Sequence, residues 1–185
     1  MLMFQPLARY AQFDGRARRA EFWQWVLFRI LLGGAIAAVL IYMAGQTQPL
    51  SDTSPVPLTT HYLHILPVIG VIQLLLFLPT LAVAIRRLHD AHHTGWWLLL
   101  PHIVGSIGIA TFFATNGERF AGLMTAGEDM SAAQVTTFAS HFVVPLGLMV
   151  VLPVVVSKLI LLVFFLTPGS PDSNPFGPDP KHRNA

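Results

Sequence analysis

A chain of 185 residues that is 54% hydrophobic and 11% charged cannot cover a water-soluble surface, where about 25% of residues carry charge. Mean hydropathy is +0.60, and the absence of cysteine excludes disulfides, thiolate nucleophiles, thiolate zinc sites and iron–sulfur clusters. The net charge of +2 forms no long basic face outside the membrane ends, so no nucleic-acid partner is expected.

The segment FDGRARRAEFW, Phe13 to Trp23, leads straight into the first apolar run. Asp14 is placed to cap a helix, and Asp14–Arg18 and Arg18–Glu21 stand at helical pair spacing. Arginines here hold their side in the cytoplasm and meet anionic headgroups, each worth ~1 kcal/mol. The first apolar run, 22–45, is too long for the hydrophobic core of a signal peptide and reads as a retained transmembrane helix. Within it, Gly33 with Ala37 and Gly34 with Ala38 offer small faces for close packing.

The loop 46–62 is rich in Pro, Ser and Thr and is expected to be irregular. His61 and His64 at its end, with the more distant His141, give weak support for an outer metal site. A second span, 63–85, contains Pro67 and Pro79, each of which frees a backbone carbonyl. RRLHDAHHTGWW follows, Arg86 to Trp97. Arg86 and Arg87 suit a helix carboxyl end. His89 and Asp90 are expected in the turn, with Asp90 in pairing reach of either arginine. Thr94 is placed to cap the next helix, anchored by Trp96 and Trp97. His89, His92 and His93 lack the spacing of a metal motif, so no metal or other cofactor is expected.

The third span, 96–115, carries Pro101, His102 and the small residues Ser106, Ala110 and Ala114 four apart. Ser131 is a candidate cap for a short helix in the following loop. The fourth span, 142–166, contains Pro145, Pro153 and Lys158. Arg29 and Lys158 sit inside spans, where long cations snorkel to the interface. The tail TPGSPDSNPFGPDP is expected to run extended with turns.

These features predict an all-α, polytopic membrane protein. Four transmembrane helices form one bundle within a single domain, 1–185, and the tail is rich in Pro and Gly. Lys and Arg number four before the first span, two in 86–95 and two in the tail, against none and one in the other two loops. Segments 1–21, 86–95 and 167–185 are therefore expected in the cytoplasm. Trp23, Trp25, Trp96 and Trp97 fall at that same face, as headgroup anchors should.

Three blocks, GRARRAEFW, RRLHD…TGWW and TPG…NPFGPDP, resemble the signature of the domain-of-unknown-function 805 family of small bacterial inner-membrane proteins. The matching positions are Phe13, Gly15, Arg16, Arg19, Glu21 and Trp23, then 86–90 and 95–97, then Pro168, Gly169, Asn174 and 176–180. His92 and His93 depart from the pattern. About fifty residues, roughly Pro101 to Val150, read as an insertion by length comparison. The resemblance implies a location and a fold but no reaction.

Taken together, Arg16, Arg19, Glu21, Arg86, Arg87, His89, Asp90 and Asn174 are expected to form one cytoplasmic face. A non-enzymatic protein would use it to bind anionic membrane lipid or a protein partner, a second copy of the chain included. The alternatives are an oligomeric transporter or channel lined by Arg29 and Lys158, and a headgroup-modifying enzyme using His89 and Asp90.

Overall fold

The computed structural model describes residues 2–46, 58–125 and 139–181. The expected Ser131 cap lies outside them. A 3-10 turn, Leu2–Phe4, leads into a short helix α1, Gln5–Ala8. Helices α2 (Arg19–Gln46) and α3 (Leu58–Asp90) follow. A second 3-10 turn, Gly95–Leu99, leads into α4 (Leu100–Thr125). The last helix, α5, covers 139–166. No strand occurs among the described residues. Stretches of α2, α3, α4 and α5, at 19–43, 65–90, 95–119 and 140–166, are long and apolar enough to cross a membrane. The all-α reading with four spans holds.

Contacts divide the chain into two units, one of 1–93 with 168–185 and the other of 94–167. In the first, α2 and α3 run antiparallel, as three polar rungs record. Glu21 Oε1 lies 3.0 Å from Arg86 Nη2. Trp25 Nε1 donates to Thr80 Oγ1 at 3.0 Å, and Arg29 Nη2 donates to Gln73 Oε1 at 2.6 Å. Trp25 is fully buried, so this indole is a core residue and not the headgroup anchor expected of it. Its N–H finds a side-chain partner because no water reaches it. Arg29 likewise has a partner within the helix pair.

Proline in a spanning helix leaves the carbonyl four residues earlier without its amide donor. For Pro79 that carbonyl belongs to Leu75, and the Tyr10 hydroxyl donates to it at 2.6 Å. Thr80 Oγ1 adds a bond to the next carbonyl, that of Leu76, at 2.6 Å. The expected small faces of α2 make no close packing contact among the described residues of this unit. Gly33, Gly34, Ala37 and Ala38 are exposed, and no atom approaches within 4 Å of where a Cβ on either glycine would stand.

In the second unit α4 packs on α5. Sequence spacing points to Ser106, Ala110 and Ala114, but all three are exposed. The buried stripe is Pro101, Gly105, Gly108, Phe112 and Asn116. A Cβ on Gly108 would overlap the backbone carbonyl of Met149, and one on Gly105 would press on Val154. Met149 is four residues before Pro153, so its carbonyl is the one that proline frees. The helix backbone widens around these prolines into π turns at Ala139–Val143 and Gly147–Val151. Gly108 thus permits close approach to the Met149 backbone. Gly108→Ala should destabilise the α4–α5 pair by ~1–3 kcal/mol, seen as a lower unfolding midpoint in detergent. Ser106→Ala should leave the midpoint within ~0.5 kcal/mol of wild type.

Candidate functional site: a buried charge clamp

The site begins at the carboxyl end of α3. His89 and Asp90 are not in a turn, as expected, but in the helix's last turn. The helix then closes on His92, whose φ is 61°. His93 N–H donates to Leu88 O at 2.9 Å and His92 N–H to His89 O at 3.2 Å. This pair of bonds is the Schellman closure, whose left-handed position usually takes glycine or asparagine. The two histidines that depart from the family pattern are therefore cap residues. No group of three or more metal-ligating side chains occurs among the described residues. Thr94 stands at the cap position of the next turn, but its side chain makes no capping bond.

The Asp90 carboxylate is shared by two guanidiniums. Arg16 Nε donates to Oδ1 at 2.9 Å, and Arg87 Nη1 donates to Oδ2 at 2.8 Å. Helical spacing supplies the second pair, three residues apart. The first joins residues 74 apart. Arg16 extends the connection into the tail, donating to Asp172 O at 2.7 Å and Ser170 O at 2.6 Å. Arg16, Arg86, Arg87, Glu21 and Asp90 are 5, 0, 0, 2 and 4% exposed. Arg86 and Arg87 are thus internal ion-pair members and not merely dipole caps. Burying a charge costs several kcal/mol unless it is paired, so these pairings are required by the burial itself. Arg86 is the least satisfied member: apart from the Glu21 ion pair, its guanidinium nitrogens have no hydrogen-bond partner among the described residues.

Backbone contacts complete the clamp. Ala17 N–H donates to Arg86 O at 3.0 Å and Ser170 N–H to Asp90 O at 3.2 Å. Asn174 Nδ2 donates to His89 O at 2.9 Å. The Asn174 side chain also accepts from Phe176 N–H, and its backbone pairs with Gly177, forming a tight loop whose glycine has φ of 132°. The loop lays Phe176 flat on His89, with ring centroids 4.0 Å apart and planes 4° apart. His89 Nδ1 lies 3.2 Å from the Gly15 carbonyl.

Asp14 stands five residues before the first residue of α2 and does not cap it. Arg18 pairs with neither Asp14 nor Glu21; its Nε and Nη2 both donate to Pro180 O, the former at 2.8 Å.

Of the residues singled out from sequence, Arg16, Glu21, Arg86, Arg87, His89, Asp90 and Asn174 meet in this clamp. Arg19 is exposed and borders a cavity of about 400 Å³ with Arg18, Ser170 and Lys181. Sequence reading missed the partners that act through backbone carbonyls, and it placed Gly169 among the family-matching positions but not in the site. A Cβ on Gly169 would overlap the Asp90 carboxylate. That carboxylate is held from both sides and cannot withdraw. Gly169→Ala should cost ~1–3 kcal/mol and make the tail a protease target ahead of global unfolding.

No solved structure matches the chain. Inner membrane protein YhaI of Escherichia coli (strain K12) is 33% identical over 114 residues, covering 60% of this chain and 80% of its own. Inner membrane protein YhaH of the same organism is 28% identical over 175 residues, covering 95% of this chain and 92% of its own. The family model described as "Protein of unknown function (DUF805)" matches residues 10–178, an interval that takes in all the charged members of the clamp, and the chain belongs to that family of membrane proteins.

Proposed function

We propose that this is a non-enzymatic bacterial inner-membrane protein whose clamp faces the cytoplasm and presents a cationic rim to anionic phospholipid. The observation that carries this reading is the division of labour among the cations. Arg16, Arg86 and Arg87 are buried in ion pairs, whereas Arg19 and Lys181 are exposed and border the 400 Å³ cavity with half-buried Arg18. Within the buried set Arg16 holds the tail in place; the outer set meets the headgroups.

A headgroup-modifying role for His89 and Asp90 has less support. The His89 ring is covered by Phe176, and both Asp90 oxygens are engaged by arginines. A base needs a lone pair within reach of a substrate proton.

Native mass spectrometry of detergent-solubilised protein, titrated with phosphatidylglycerol or phosphatidylcholine, tests the proposal. Preferential phosphatidylglycerol adducts are expected, weakened about fivefold by each of Arg19→Gln and Lys181→Gln, from ~1 kcal/mol per charge. Equal binding of the two lipids, or no effect of the substitutions, contradicts it.

A further inference from the structure

The segment before the first span is expected from its arginines to be wholly cytoplasmic, yet Phe4 and Tyr10 touch the spanning helices beyond the level of the clamp. Tyr10 bonds the Leu75 carbonyl, eleven positions before Arg86, about 16 Å along α3 at 1.5 Å per residue. Phe4 packs edge-to-face on Phe28 with centroids 5.7 Å apart. Phe28 is nine positions into α2, about 13 Å from its start. The chain therefore doubles back from Gly15, at the level of His89, and α1 lies against the apolar part of the helix pair.

Residues 2–10 present two faces. Leu2, Gln5 and Arg9, at spacings of three and four, line a cavity of about 60 Å³ together with Arg18 and Glu21 of the clamp region. Phe4, Leu7 and Tyr10 are 45, 38 and 37% exposed. Leu2 to Ala8 carries no charged side chain. A polar face toward a charged cavity and an apolar face outward, at this distance along a spanning helix, fit the headgroup–acyl boundary.

We propose that residues 2–10 form an interfacial element embedded in the leaflet nearest the clamp, with phospholipid acyl chains covering Phe4, Leu7 and Tyr10. The Tyr10 hydroxyl anchors it by satisfying the carbonyl that Pro79 frees, which lipid cannot do. This inference is independent of which lipid the cationic rim prefers.

The absence of native cysteine makes single-site labelling direct. Leu7→Cys and Gln12→Cys, both at exposed positions, would carry nitroxide labels in proteoliposomes of phosphatidylethanolamine and phosphatidylglycerol. The Leu7 label should collide with oxygen more than with a water-soluble nickel chelate, and the Gln12 label should do the reverse. Adding Tyr10→Phe should raise nickel access at Leu7 severalfold. Nickel access at Leu7 equal to that at Gln12 in the unmodified background would overturn the embedding. Access unchanged by Tyr10→Phe would overturn the anchor.

Discussion

Asp90→Ala is expected to be the most damaging single substitution in the first unit, at ~3–5 kcal/mol. The carboxylate is 4% exposed and forms ion pairs with two guanidiniums, Arg16 and Arg87. Its removal takes the neutralising carboxylate from both in a low-dielectric setting. It also opens space beside Gly169, whose close approach depends on that side chain. A drop in unfolding midpoint on the order of 10 °C in detergent should result, with less protein accumulating in membranes. Asp90→Asn keeps the shape and loses the charge. It should fall between alanine and wild type, because an amide accepts one good bond where the carboxylate accepts two charged ones. A midpoint within 2 °C of wild type for Asp90→Ala would show that the clamp contributes little to stability.

The second large effect concerns the pair Glu21 and Arg86, 3.0 Å apart and almost fully buried. Removing one partner leaves an uncompensated internal charge. Glu21→Leu and Arg86→Met should each cost ~3–5 kcal/mol, whereas the double substitution should cost far less than their sum. The reason lies in the incomplete bonding of Arg86, whose guanidinium has no polar partner among the described residues beyond the Glu21 ion pair. The pair recovers little more than its own desolvation cost, so an apolar pair of similar volume replaces it at small loss. Unfolding midpoints of the two singles and the double give the coupling. Additive losses would mean that the two charges act separately.

The spans were legible because a membrane imposes length and apolarity on every crossing, and Phe22, Leu63, Trp96 and Phe142 mark those changes in composition. The pairing of Asp90 with Arg87 was legible too, since helical spacing puts them on one face. Arg16 with Asp90 was not, because nothing in the order of residues encodes a meeting 74 positions apart. The family blocks indicated that three segments belong together without saying how. Packing faces were misread for a related reason. Ser106, Ala110 and Ala114 have helical periodicity, but so do Gly105, Gly108 and Phe112. What selects the second set is the Met149 backbone close against Gly108, a feature of the partner helix. Trp25 was misassigned because a tryptophan near a helix end suits a headgroup, and Thr80 was not recognisable as its partner.

Hydrogen–deuterium exchange of the tail gives the most direct test of the buried clamp. The amides of Ser170, Asn174 and Gly177 each donate a backbone bond, to Asp90, Gly177 and Asn174. In detergent-solubilised wild-type protein, a peptide covering 168–181 should exchange at least tenfold more slowly than an unstructured chain, and Arg16→Ala should abolish that protection while α4 and α5 stay protected. A tail that exchanges at the unstructured rate in the wild type, or that keeps its protection without Arg16, would contradict the central claim that Arg16 and Asp90 lock the tail onto the end of α3.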